Sequence, residues 1–225
     1  RFSIAAAGAT LLLIGVGGLV TSHGAGMAVP DWPTTYGYNM FFFPISLWTG
    51  GVLYEHSHRL VASAVGLLTI GLAVWLWLKD ARRWLRGLGI AAVFLVIAQG
   101  ILGGLRVTEM WDELGIFHAT LAQVFLVLLS GIALVTSRAW WQRCERRPEI
   151  AEANKLRLAY GLATVVVLFQ LILGAAMRHQ HAGLAVPDFP LAYGSLWPNM
   201  SSSAIASYNQ ARSEITAQNP ITAFH

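Results

Sequence analysis

AGMAVPDWPTTYG at residues 25–37 returns as AGLAVPDFPLAYG at residues 182–194, with nine of the thirteen positions identical. Each copy follows a glycine-bearing apolar stretch, and Gly17 falls on Gly174 at the same offset of 157 residues. A recurrent proline turn would account for P-D-x-P but not for the shared flanks. A repeat of so long a period, set at the mouth of a hydrophobic segment, predicts an internally duplicated membrane protein.

Composition agrees. At 56% hydrophobic and 12% charged residues, with nine tryptophans, the chain is too apolar for a soluble domain of its length. Five stretches, residues 2–22, 60–78, 87–105, 114–137 and 158–177, carry no Lys, Arg, Asp or Glu. Each is long enough to cross about 30 Å of hydrocarbon as a helix. Backbone groups in lipid must bond to one another, so runs of this length are helical.

Charge then orients the chain. Ten of the fifteen basic residues fall in two loops, residues 79–86 and 138–157, and residues 23–54 contain only neutral and acidic side chains and histidine. Basic loops stay on the cytoplasmic side. The N-terminus is therefore expected inside and both repeated loops outside, since an even number of helices separates them. The net charge of +4 reports topology rather than nucleic-acid binding.

The expected fold is an all-α integral membrane protein, a duplicated four-helix transmembrane bundle showing five of eight helices. Residues 1–137 form the first four-helix unit and residues 138–157 a basic cytoplasmic linker. Residues 158–225 hold the first helix and outer loop of an incomplete second unit, whose three further helices are expected beyond this sequence. The single cysteine, Cys144, lies in the basic linker; it excludes an internal disulfide or a multi-cysteine metal site in these residues.

Placement makes two of the seven histidines stand out. His58 lies just inside the outer end of the second helix and His118 about one turn inside that of the fourth. Both helices run inward, which puts the two imidazoles at similar depth. Buried polar side chains in a span are costly and face a functional interior. Two such histidines on facing helices can hold a haem iron from both sides; alternatively each bonds a neighbouring carbonyl and stitches helices together. His23, His56, His179, His181 and His225 lie in or beside outer loops and read as solvated or interfacial.

Glu55 stands three positions before His58, on the same side of the helix. There it can take a proton or position water; equally, it can pair with Arg59 at the interface. Arg106 and Arg178 end the third and fifth helices, where they suit haem propionates or simple snorkelling to water. The aromatic residues Trp32, Phe41, Phe42, Phe43 and Trp48, with Phe189 and Trp197 in the second copy, suggest an interfacial lid.

GGLVTSHGAGMAVPDWP at residues 17–33, EHSHR at 55–59 and HATLAQ at 118–123 together resemble the haem A synthase family, through essentially the whole chain. The resemblance implies two pseudo-symmetric four-helix halves, each offering a histidine pair to a haem. The N-terminal half would hold haem O as substrate, and the C-terminal half a haem b whose ligands lie outside this sequence. The implied activity oxidises the C8 methyl of haem O to a formyl group by successive water-dependent hydroxylations, supplying haem A to cytochrome oxidase. His58 and His118 match the family's axial pair, and Glu55 its essential carboxylate. Haem O, membrane lipid, haem O synthase, cytochrome oxidase assembly factors and an electron acceptor are the implied partners, and a homo-oligomer is compatible with them. The implied location is the bacterial cytoplasmic or mitochondrial inner membrane, with the haem site toward the outer face.

The sequence departs from the family's pattern at a cysteine pair, C-P-D-W-P-x-C. Val29 and Thr35 stand there, with Val186 and Ala192 in the second copy, so the chain is of a cysteine-free type. Thr21 replaces an arginine that the second copy keeps as Arg178. A non-catalytic bis-histidine b-type cytochrome or haem carrier is the alternative reading, because it needs the histidines but not Glu55.

Overall fold

The computed structural model of the chain describes residues 1–111, 113–143, 150–180, 182–188 and 190–211. The expectations placed on Cys144, His181, Phe189 and His225 lie outside the described residues. The described helices are α1 (Phe2–Ser22), α2 (Gly50–Lys79), α3 (Arg83–Thr108), α4 (Leu114–Val135), α5 (Arg138–Arg143), α6 (Ile150–His179) and α7 (Ser202–Ala211). Five are long and apolar enough to cross a membrane: α1 to α4, and α6 over Ala153–His179. The all-helical membrane fold is as the apolar runs foretell, and the described residues contain no β-strand.

The chain divides into two compact units, Arg1–Val165 and Val166–His225. In the first, α1 packs on α2, α2 on α3, α3 on α4 and α4 back on α1, which closes a four-helix ring. Its apolar core is Ala6, Val65, Leu72, Leu76, Leu85, Ala92, Phe125, Leu129 and Ile132. All nine lie in the half of the ring nearest the basic turn between α2 and α3. Leu12, Leu67, Phe94 and Val127 face outward and are exposed, as lipid-facing side chains must be.

The basic end is tied by polar contacts. Ser3 Oγ and Thr136 Oγ1 lie 2.8 Å apart, linking α1 to the end of α4. Asp80 precedes α3, accepts the Arg82 backbone N–H at 3.0 Å, and meets the Arg82 guanidinium at 2.6 Å. Hydrogen bonding to that guanidinium holds the Asp80 carboxyl down to about 2.

The opposite half of the ring is covered by the first copy of the repeat. Asp31 organises it by accepting the backbone N–H groups of Tyr36 at 2.7 Å and Gly37 at 2.8 Å. The Tyr36 hydroxyl donates to Ala28 O. Tyr36 and Gly37 both take positive φ, 49° and 77°, a turn that suits glycine at the second position. The second unit builds the same loop from the second copy. Asp188 accepts from Tyr193 N at 2.7 Å and Gly194 N at 2.6 Å, the Tyr193 hydroxyl donates to Ala185 O, and the φ values are 53° and 77°. An isolated bridge closes each loop, Thr35 with Tyr38 and Ala192 with Ser195. The duplication read in the letters is thus a duplication of hydrogen bonds.

Candidate functional site

The site lies in the half of the ring that the apolar core leaves free, beneath the first loop. Glu55, on α2, is only 4% exposed. Its Oε1 meets Arg59 Nη2 at 2.7 Å, and its Oε2 accepts the Val29 backbone N–H at 2.9 Å. Arg59 goes on to donate to three loop carbonyls: Asp31 O at 2.6 Å, Thr34 O at 3.0 Å and Val29 O at 2.9 Å. A buried ion pair survives desolvation only when its remaining donors and lone pairs are satisfied, and here both partners spend them on the loop. The spacing of Glu55 and His58 hides this. Arg59, one turn on from Glu55, captures the carboxylate and bolts it to the loop.

His56 requires a correction. Read from the sequence as solvated or interfacial, it is completely buried. Its Nδ1 lies 3.2 Å from Thr35 Oγ1, and its ring packs against Phe43 and Trp48 at centroid distances of 4.9 and 4.6 Å. The lid folds over the first turns of α2 and takes His56 with it. His23, by contrast, is exposed and stacks on Tyr54 at 4.0 Å, an interfacial position.

His58 leans on α1. A Cβ built on Gly17 would stand 3.1 Å from His58 Cε1 and 3.5 Å from its Nδ1. That Nδ1 is buried and makes no hydrogen bond, so the imidazole does not stitch helices together through it. His118 makes the corresponding contact with α3, where a Cβ on Gly103 would lie 3.4 Å from His118 Cε1. Gly17 and Gly103 each precede the end of their helix by about one and a half turns. The glycines therefore put the two imidazoles at one level, on the pair of helices that stand across the ring from each other.

The loop also reaches α3. A Cβ on Gly104 would come within 2.5 Å of Trp32 Cδ2, and one on Gly26 within 2.8 Å of both Arg106 terminal nitrogens. The Trp32 indole thus packs against α3 at Gly104, and the Arg106 guanidinium is seated on the loop at Gly26. Phe43 turns inward and is buried, while Phe41 and Phe42 face out at 63% and 82% exposure. Arg178 is exposed in the last turn of α6, in the second unit. The Arg59 pairing with Glu55 is the alternative that spacing offered, whereas its bonds to the loop and the contributions of His56 and Gln99 escape a reading by type and spacing; the glycines at 26, 103 and 104 were the available signal, since each marks a close approach.

The family model described as cytochrome oxidase assembly protein (COX15-CtaA) matches residues 39–224. The chain is similar to the heme A synthase of Shouchella clausii, 32% identical over 205 residues, covering 87% of this chain and 64% of the relative. It is similar also to that of Alkalihalophilus pseudofirmus, 30% identical over 208 residues, covering 88% and 66%, and to that of Lysinibacillus sphaericus, 29% identical over 197 residues, covering 85% and 62%. The chain spans a little under two thirds of the length of these curated relatives. No solved structure matches it.

Proposed function

The chain belongs to the COX15-CtaA family of cytochrome oxidase assembly proteins, and from that premise we propose that it makes haem A from haem O. The observation that carries the proposal is the pair of glycine-backed imidazoles at one level of the ring, His58 on Gly17 and His118 on Gly103. Among the described residues no group of three or more His, Cys, Asp or Glu is placed to hold a metal ion. Two imidazoles suit an iron whose other positions are already filled, as the macrocycle of haem O fills them.

In this reading residues 1–137 are the substrate half, residues 138–157 the cytoplasmic linker and residues 158–225 the start of the half that serves haem b. His58 and His118 hold the substrate's iron toward the outer face, and the Arg106 guanidinium offers its charge to substrate carboxylates at the rim. Arg178 does the same in the second half. Conversion of the methyl to a formyl group consumes one water net and releases four electrons and four protons, the electrons passing to an acceptor. Glu55 accepts a proton from the attacking water, or holds that water through the loop it anchors. The protein's part is orientation and electrostatics; the redox chemistry belongs to the macrocycle.

One observation favours the second reading, a bis-histidine cytochrome or haem carrier. Both oxygens of Glu55 are engaged, one by Arg59 and one by Val29, as a purely structural carboxylate would be. The assay that separates the two is chromatography of pigments extracted after incubating the full-length protein with haem O. The proposal expects hydroxylated haem and haem A from the unmodified protein, and their loss in His58→Ala and His118→Ala. An unmodified protein that binds haem O and leaves it unchanged, with an electron acceptor supplied, overturns it.

A further inference from the structure

A glutamine sits one turn inward of the glycine that backs His118. Gln99 is a buried polar side chain in the middle of an apolar helix, 9% exposed. An amide there is costly unless bonded, and Gln99 Nε2 donates to the His118 backbone carbonyl at 3.1 Å. Residues four apart lie on one face of a helix, so α3 touches His118 twice: Gln99 holds its carbonyl and Gly103 receives its ring. On α1 the residue one turn inward of Gly17 is Leu13, whose side chain has no donor to offer His58.

The geometry points to Gln99 as a positioning residue for His118, one that fixes the height and rotation of α4 against α3 and with them the plane of the imidazole. The inference rests on the reading of His118 as an iron ligand. The pairing also recurs in the letters. Gln99-x-Ile101-Leu102-Gly103 on α3 reappears as Gln170-x-Ile172-Leu173-Gly174 on α6, at an offset of 71 rather than 157 residues. Gly174 is also the counterpart of Gly17 in the longer duplication, where Leu13 stands at the position of Gln170. The bond is neutral and interhelical, so it tunes the ligand without creating or removing it.

The test compares Gln99→Met with the unmodified full-length protein loaded with haem O. Electron paramagnetic resonance of the ferric state reads the ligand geometry, and competition with apomyoglobin reads haem retention. Methionine keeps the length and loses the donor. Gln99→Met is expected to shift the highest g-value of the low-spin signal and to weaken retention about threefold, the size of an interhelical hydrogen bond in a membrane. His118→Ala is expected to abolish that signal. A signal unchanged in Gln99→Met but lost in His118→Ala overturns the positioning role and leaves the ligand reading standing. A signal that survives His118→Ala overturns the ligand reading and this inference with it. Gln99→Leu, close in volume and without a donor, serves if Gln99→Met does not assemble; a g-value unchanged in it overturns the inference.

Discussion

Replacing Arg59 by glutamine removes the bolt between α2 and the first loop. The guanidinium makes four hydrogen bonds, to Glu55 and to the carbonyls of Val29, Asp31 and Thr34. Its loss leaves Glu55 buried without a counter-charge, and breaking a buried pair in this way costs about 3–5 kcal/mol. At 1.4 kcal/mol per tenfold, the loop's opening equilibrium rises roughly 10²- to 4 × 10³-fold. Glu55→Gln is milder. Arg59 keeps its three carbonyl acceptors, but glutamine offers one acceptor oxygen where Arg59 and Val29 present two donors, so one N–H is stranded against the amide NH2, at about 1–3 kcal/mol or roughly 5–150-fold. The assay is amide hydrogen exchange at Val29, whose N–H is held by Glu55. Exchange is expected to accelerate in the order unmodified, Glu55→Gln, Arg59→Gln, while amides in the apolar half of α2, around Val65 to Leu76, keep their protection. Val29 exchange unchanged in Arg59→Gln would refute the reasoning.

Three further outcomes follow from the same geometry. Gly104→Ala, whose methyl would meet Trp32 Cδ2 at 2.5 Å, should displace the indole at a cost of about 1–3 kcal/mol, seen as a red shift of emission in a protein retaining Trp32 as its reporter tryptophan. Thr35→Val should strand the buried His56 ring nitrogen and lower stability by about 1–3 kcal/mol, read as a fall in Tm that His56→Phe partly avoids. Partial burial pushes the Asp31 carboxyl up, but the Gly37 and Tyr36 N–H groups and the Thr34 hydroxyl outweigh it and leave it below the usual 3.8. A lowered folded value means that its contribution is complete above 3.8 and is lost as pH falls through the lowered value. Trp32 emission should therefore hold from neutrality to about pH 4 and change below it. Asp31→Asn should abolish that acid transition, and a transition unchanged in the variant would show that Asp31 does not govern the loop.

Much of this was legible because the physics of a bilayer is written in runs and repeats. Charge-free stretches mark α1 to α4 and α6 with little ambiguity, since no other secondary structure satisfies a backbone in lipid except a closed barrel. The repeated P-D-x-P segment foretells two like loops, and Asp31 and Asp188 do organise the same hydrogen bonds. The helix ends misled about His58: α2 begins at Gly50, so His58 lies more than two turns inside it rather than just inside its end, while His118 lies one turn inside α4, and the common level rests on the contacts with Gly17 and Gly103. What escaped depends on the third dimension of an irregular loop. Spacing left Glu55 a choice between the side of His58 and Arg59; the carboxylate goes to Arg59, and also to Val29, because the loop brings an N–H and three carbonyls to the start of α2. His56 looked interfacial for the same reason: nothing in its neighbours announces that Thr35, Phe43 and Trp48 close over it.

The central claim is that His58 and His118 bind one iron. Uniform ¹⁵N labelling of histidine in the full-length protein, loaded with ferric haem O under conditions where the second half carries no haem, gives a direct reading by pulsed hyperfine spectroscopy. The account predicts two imidazole nitrogens coupled to the low-spin iron, one lost in His58→Ala and the other in His118→Ala. Coupling to a single imidazole, or two couplings that persist in both variants, would contradict it.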